Sequence, residues 1–478
     1  MAQRLPLLMF TMILIVSLTA CGGTQVSQQP APPPAAENSG GGAAAPAVPE
    51  PASAPSSVDE YTSDASEAEV GGAPPVVAER EGPMAVAPTA TVSAGASGLP
   101  APATDGMIAE APAAAPESGA PMPRPDPRQA PEAAIKAGEI NDNEQFAAYL
   151  DYLQGYSWGN VRHADVSERY VLRVLGEGQR PLHDARVTVY DGERQIFQGR
   201  TYADGRALFM PRISDTQQTT EFRVVAAYGA VQGEALLRRG EVEVVEIGLR
   251  GATPEEALRL DLLFMLDTTG SMEDELRRIQ QTIDSIAERI DAFTPRPAIH
   301  YGLVAYKDVD DEYVTRSFDF TPDLAAFRLE LARLSANGGG DTPEAVDEAL
   351  YDGMMVLQWR DEPTVRIAFL VADAGPHVPG PSQFTYLDGI REAVARGVKI
   401  YPVAASNTEP QAEYVFRQLA QQTMASFIFL TYQPGASSGA PGESTPLEAG
   451  EQAYTVERLD DLIVGIVERE LRAAVGAR

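Results

Sequence analysis

Three patterns of apolar and polar positions succeed one another along the chain. Up to about Ile140, beyond an apolar run at the very start, apolar residues keep no sustained period. NEQFAAYLDYLQ then sets Phe146, Leu150 and Leu153 on one face, the mark of a short helix. From Tyr170 to Leu249 the period drops to two, in YVLRVLG, ARVTVYDG, QIFQGRTYADGRALFM, EFRVVAAYG and VEVVEIGL, with Gly, Asp and Pro turns between them. Short strands at this spacing predict an antiparallel β-sandwich. From Leu258 the pattern changes again. LDLLFML is apolar without alternation, as in a central strand buried on both faces. Leu276, Ile279, Ile283, Ile286 and Ile290 follow at steps of three and four, which predicts a long amphipathic helix. IHYGLVAY, YVTRSFDF, VRIAFLVA, VKIYPVAA and ASFIFLTY predict further strands, with helical patterns at 322–334, 343–358, 385–396, 410–422 and 456–473. Strands alternating with helices predict a doubly wound α/β domain, whose ligands sit at the carboxyl ends of its strands.

The first residues change the picture from a plain multidomain protein to an exported one. Residues 1–20 place Arg4 ahead of an apolar run from Leu5 to Val16 and then small residues, the layout of a secretory signal. Cys21 is the only cysteine, which excludes an internal disulfide. Leu18-Thr19-Ala20-Cys21 resembles a bacterial lipobox. That resemblance implies that Cys21 becomes the N-terminus and carries acyl chains, a stable lipid anchor to the membrane. Gly22 after the cysteine resembles outer-membrane sorting, so the expected location is the cell envelope, at the outer membrane. No later stretch reaches the roughly 20 apolar residues of a membrane span. Residues 21–140 are rich in Pro, Ala, Gly and Ser, too poor in apolar surface to offset chain entropy, and predict a disordered tether. About 115 flexible residues reach roughly 60 Å. The formal net charge of −31, from 37 basic and 68 acidic residues, excludes nucleic acid as a natural partner.

The expected organisation is a signal at 1–20, the tether at 21–140, a short helical connector at 141–165, the β-sandwich at 166–250 and the α/β domain at 256–475. Within the sandwich, Thr201, Asp204, Gly205, Ala207 and Phe209 follow the turn pattern of prealbumin-like or carboxypeptidase-regulatory-like domains, which this stretch resembles. His163, in the connector, and His183, in the sandwich, are isolated and are read as surface or packing residues.

The chemistry concentrates in LDTTGSM, at 266–272. Asp267, Thr269 and Ser271 are spaced i, i+2, i+4 between a buried strand and a helix. One carboxylate and hydroxyls two apart can present several oxygens to one point, which suits a small hard cation; thiolates and imidazoles are absent, which disfavours zinc or copper. This D-x-S/T-x-S pattern closely resembles that of the von Willebrand factor type A domain, a Rossmann-like fold with a metal-ion-dependent adhesion site. Thr342, in ANGGGDTPEAV, matches that family's single threonine, and Asp373, in FLVADAGPH, its last aspartate. The resemblance implies Mg2+, with Mn2+ or Ca2+ as alternatives. It implies that Thr269, Ser271 and Thr342 bind directly or through water. Asp267 and Asp373 would contribute mainly charge, leaving one position for an Asp or Glu carboxylate of a protein partner. Bland roles exist beside these: Ser271 and Thr342 each precede a helical pattern as N-caps do, Thr342 with Pro343 at the first helical position, and Asp308 and Asp341 read as solvated loop acids.

Two enzyme readings are weighed against binding. Asp267-Thr268-Thr269-Gly270 also resembles the nucleophile motif of haloacid-dehalogenase phosphotransferases, an envelope phosphatase in this setting, but Lys399 lies within a strand pattern and only Asp460-Asp461 follow late in the chain. Gly435-Ala436-Ser437-Ser438-Gly439 matches a hydrolase pattern, yet no histidine follows it. The expectation is therefore a binding module, not an enzyme, with an inert envelope scaffold as the remaining alternative.

Overall fold

The computed structural model describes residues 76–80 and 136–476, apart from 158, 215, 217, 341, 406–407, 433–442 and 445–454. The signal, Cys21, most of the tether, Asp341 and the 435–439 motif lie outside the described residues.

Two short strands open the described chain, β1 (Val76–Arg80) and β2 (Lys136–Ile140), followed by helix α1 (Phe146–Gly155). Seven strands come next: β3 (Tyr170–Leu175), β4 (Arg186–Asp191), β5 (Arg194–Arg200), β6 (Arg206–Phe209), β7 (Glu221–Tyr228), β8 (Val231–Arg238) and β9 (Val244–Gly248). They form a three-stranded sheet, β6-β3-β9, and a four-stranded one, β5-β4-β7-β8. Alternate residues of both enter one apolar cluster, among them Leu172, Val187, Phe209, Val224 and Ile247. In the turn before β6 the Thr201 hydroxyl donates to Leu182 O at 2.5 Å and accepts from Ala185 N at 2.9 Å, which explains a threonine at that position.

The α/β domain then runs β10 (Arg259–Asp267), α2 (Glu273–Asp291), β11 (Ala298–Tyr306), β12 (Thr315–Thr321), α3 (Leu324–Arg333), α4 (Val346–Tyr351), β13 (Val365–Ala372), α5 (Tyr386–Arg396), β14 (Val398–Ala404), α6 (Pro410–Gln422), β15 (Phe427–Tyr432), β16 (Glu443–Ser444), β17 (Thr455–Arg458) and α7 (Leu459–Ala474). The sheet order is β1-β12-β11-β10-β13-β14-β15-β2-β17, with β16 beside β15. Strands β11, β10, β13, β14 and β15 are parallel, and β12, β2 and β16 antiparallel to their neighbours, so the sheet is mixed. Leu260, Leu262, Phe264 and Leu266 of β10 point to one core with α2, α3 and α7; Leu263 and Met265 point to the other with α4, α5 and α6. Burial on both faces is why this strand reads as an unbroken apolar run.

Four expectations need correction. The stretch read wholly as tether contains β1, which pairs with β12, and β2, which lies between β15 and β17. KAGEI carries few apolar side chains because backbone hydrogen bonding to two neighbours, rather than side-chain burial alone, holds it in the sheet. The helix expected over 343–358 begins only at Val346 and passes into a π-helical turn at Asp352–Val356. Its first residues are diverted, since Glu344 N donates to Gly375 O at 2.9 Å and Glu344 bridges to Pro376. Neither expected N-cap forms: α2 starts after Met272 and α4 after Ala345, both without a side-chain cap.

The two parts of the chain are tied by buried charge. Arg366 Nη1 and Nη2, near the start of β13, donate to Asp184 Oδ1 and Oδ2 at 2.6 and 3.2 Å. Beside α1, Arg417 of α6 makes a similar pair with Asp142, at 2.6 and 3.0 Å.

Candidate metal centre

The C-terminal ends of β10, β11, β13 and β14 deliver four loops to one edge of the sheet, and the segment from α3 to α4 adds a fifth. Asp267 is the last residue of β10 and is fully buried, as is Thr269. The Thr269 amide and hydroxyl both donate to Asp267 Oδ1, at 2.9 and 2.7 Å. The Thr269 and Ser271 hydroxyl oxygens lie 3.1 Å apart, and the exposed Ser271 hydroxyl bonds the Asp373 carboxyl. Either hydroxyl can be the donor across that pair, and oxygens held this close beside two carboxyls suit a cation.

Three carboxyl oxygens nearby are buried without a hydrogen-bond partner: Asp267 Oδ2, Asp373 Oδ1 and Glu344 Oε2. Burial pushes the Asp267 carboxyl up, the Asp373 charge pushes it further, and the Thr269 bonds and Lys307 oppose both. Asp373 is raised by burial and by Glu275 and Glu409, against the Ser271 bond. Glu344 is pushed up to about 9 by burial and then by Asp267, Asp308 and Asp373. Lys307 does not neutralise the group with a free ammonium, because its Nζ donates to Thr268 O at 2.8 Å and to the Asn337 carbonyl and side chain. Buried like charges of this kind are relieved either by protonation or by a cation.

Thr342 stands apart from this set. It is exposed, and its hydroxyl donates to Glu409 Oε1 at 3.0 Å. Glu344, two residues on, is 2% exposed and faces Thr269 across Gly339, since a β-carbon at Gly339 would lie 3.0 Å from Thr269 Cβ and 3.2 Å from Glu344 Oε1. The sequence assigned Glu344 no role; the Gly-rich approach before it was the available signal. Gly338 and Gly339 both have positive φ, and a β-carbon at Gly338 would run into the Asp311 carboxylate. Gly270 N donates to Gly338 O at 2.9 Å, which closes this loop onto the LDTTGSM turn. Asp308 is not a solvated acid either: its Oδ1 lies 2.6 Å from His377 Nε2. Among the described residues no three His, Cys, Asp or Glu side chains are grouped as a metal site, so a cation here depends on the hydroxyls as well.

Residues 261–377, which include Asp267, Thr269, Ser271, Thr342, Glu344 and Asp373, match the von Willebrand factor A domain. The α/β unit contains a von Willebrand factor A domain. Similar stretches occur in the Dictyostelium discoideum alpha-protein kinase vwkA, 28% identical over 30% of this chain and 22% of its own. Mouse hemicentin-2 is 39% identical over 17% of this chain and 2% of its own, and human hemicentin-1 33% over 20% and 2%. The chain thus spans a small part of the relatives it matches. BatB from Bacteroides thetaiotaomicron aligns with 10% identity over 45% of this chain and 99% of its own, at a TM-score of 0.31. Von Willebrand factor A domains in general mediate protein–protein interaction and adhesion rather than catalysis. The lysine and the late acids weighed for phosphotransfer have other partners. Lys399, at the start of β14, pairs with Glu470 at 2.6 Å, and Asp460 and Asp461 pair with Arg289 and Arg458.

Proposed function

We propose that the chain is a lipid-anchored, extracytoplasmic binding protein whose von Willebrand factor A domain engages a protein partner through a divalent cation, Mg2+ in the first instance and Mn2+ or Ca2+ as alternatives. The cation would be held by the Thr269 and Ser271 hydroxyls with Asp267 and Asp373, Glu344 would add charge beside it, and Thr342 would stand at the margin. One observation carries this reading: the carboxylates of buried Asp267 and half-buried Asp373, each bonded by one of two neighbouring hydroxyls, still keep a buried oxygen without a partner. A bound cation supplies positive charge to those oxygens and a position for a carboxylate of the partner. The two facing β-sheets would act as a sandwich-like spacer, and residues 21–75 with the stretch between β1 and β2 as a tether to an outer-membrane anchor at Cys21.

The cation is tested by calorimetric titration of the full chain with Mg2+, Mn2+ and Ca2+ after chelation, alongside Asp267→Ala. Saturable heat in the wild type, lost in the variant, is expected. Equal heats in both proteins would remove the site. The anchor is tested separately by labelling cells with an alkynyl fatty acid: wild type should take the label and Cys21→Ser should not.

A further inference from the structure

Acidic side chains dominate the mouth of this centre, with Arg316 stacked over Tyr313 at its side. Glu273, at the start of α2, and Asp310, Glu312 and Glu409, on the loops, are exposed. Lys307 is the only lysine or arginine in the segments 267–273, 307–314, 335–345, 373–385 and 405–409, and its ammonium is turned inward onto carbonyls. Behind them lie three carboxyl groups with buried unpartnered oxygens, Asp267, Glu344 and Asp373. A carboxylate approaching alone would pass the four exposed acids before it reached any metal. Low-dielectric walls and like charges focus such a field outward over about a Debye length, roughly 8 Å at physiological salt.

Resting on the function proposed above, we propose that the partner presents its Asp or Glu within a basic segment, with Lys or Arg one or two positions to either side. The flanking cations meet Asp310, Glu312, Glu273 and Glu409 while the carboxylate meets the metal. Charge of this kind governs partner choice and association rate more than the strength of the central contact. An acidic segment bearing the same central carboxylate is rejected at the mouth.

The test uses the full chain in Mg2+ and three fluorescent heptapeptides, GKGDGKG, GEGDGEG and GKGNGKG, followed by fluorescence anisotropy with the Mg2+-dependent rise in melting temperature measured in parallel. GKGDGKG should bind roughly tenfold or more tighter than GEGDGEG at low salt, and the ratio should collapse toward one in 1 M NaCl. In Asp310→Lys with Glu312→Lys the ratio should narrow while the Mg2+-dependent melting shift persists. Equal or tighter binding of GEGDGEG, no binding of either peptide despite a Mg2+ melting shift, or an unchanged ratio in the double variant each overturns the proposal and leaves the metal reading intact. Absence of any Mg2+ melting shift, or binding of GKGNGKG equal to GKGDGKG, overturns the underlying function instead.

Discussion

Replacing Glu344 with glutamine separates a working carboxylate from a structural one. The folded chain holds the Glu344 proton up to about pH 9, whereas the unfolded chain releases it near the ordinary glutamate value. The folded pKa lies above the unfolded one, so the associated stability is full below about pH 4 and declines as pH rises toward 9. Each pH unit between the ordinary value and neutrality is worth about 1.4 kcal/mol, which weakens the metal-free fold by up to about 3 kcal/mol at pH 7. Asp267 and Asp373 share that repulsion, so Glu344→Gln should stabilise the metal-free protein by about 1–3 kcal/mol at pH 7 and by almost nothing at pH 4. Thermal unfolding followed by circular dichroism would read this as a rise of about 2–4 °C per kcal/mol. Mg2+ at a hundred times its dissociation constant should add about 2.7 kcal/mol to the wild type, and much less to the variant. A variant that is less stable than wild type without metal, or that keeps the full Mg2+ response, would refute the assignment of Glu344 to the centre.

Other substitutions probe the frame around the site. Thr269→Ala should weaken Mg2+ affinity by tenfold or more, and Thr342→Ala by less than about threefold, since only the first hydroxyl faces the buried carboxyls; calorimetric titration compares the two, and the reverse order would contradict the geometry. Gly338→Ala forces a β-carbon toward Asp311 at a positive φ and should cost about 1–3 kcal/mol in urea unfolding, while Gly340→Ala, with open space around it, should cost under about 1. Removing one partner of the buried Asp184–Arg366 pair, as in Asp184→Ala, should destabilise by about 3–5 kcal/mol, and Asp184→Leu with Arg366→Met should recover much of that loss.

The α/β layout was legible wherever burial dictates composition. β10, β13 and β14 are buried along nearly their whole length and read as unbroken apolar runs, and α2 carries its isoleucines at helical steps because one face alone is covered. Asp267, Thr269 and Ser271 were legible because they lie within five residues, where spacing alone implies proximity. Glu344 was not, because its meeting with Thr269 depends on the path of the glycine loop and on the bridge from Glu344 to Pro376. The Asp308–His377 contact was hidden for the same reason, 69 residues separating the two. β2 escaped notice because Lys136, Gly138 and Glu139 lack the side chains that mark a strand, although its amides pair on both sides.

That double pairing has a mechanical consequence. Lys136, where the preceding chain enters β2, lies opposite Thr431 near the C-terminal end of β15, and Arg458 of β17 flanks it on the other side. Tension drawn along β2 from residue 135 would load both ladders in shear, many hydrogen bonds at once, instead of peeling them one by one. A module loaded through the chain before residue 136 would gain, in that strand, a fastening suited to force.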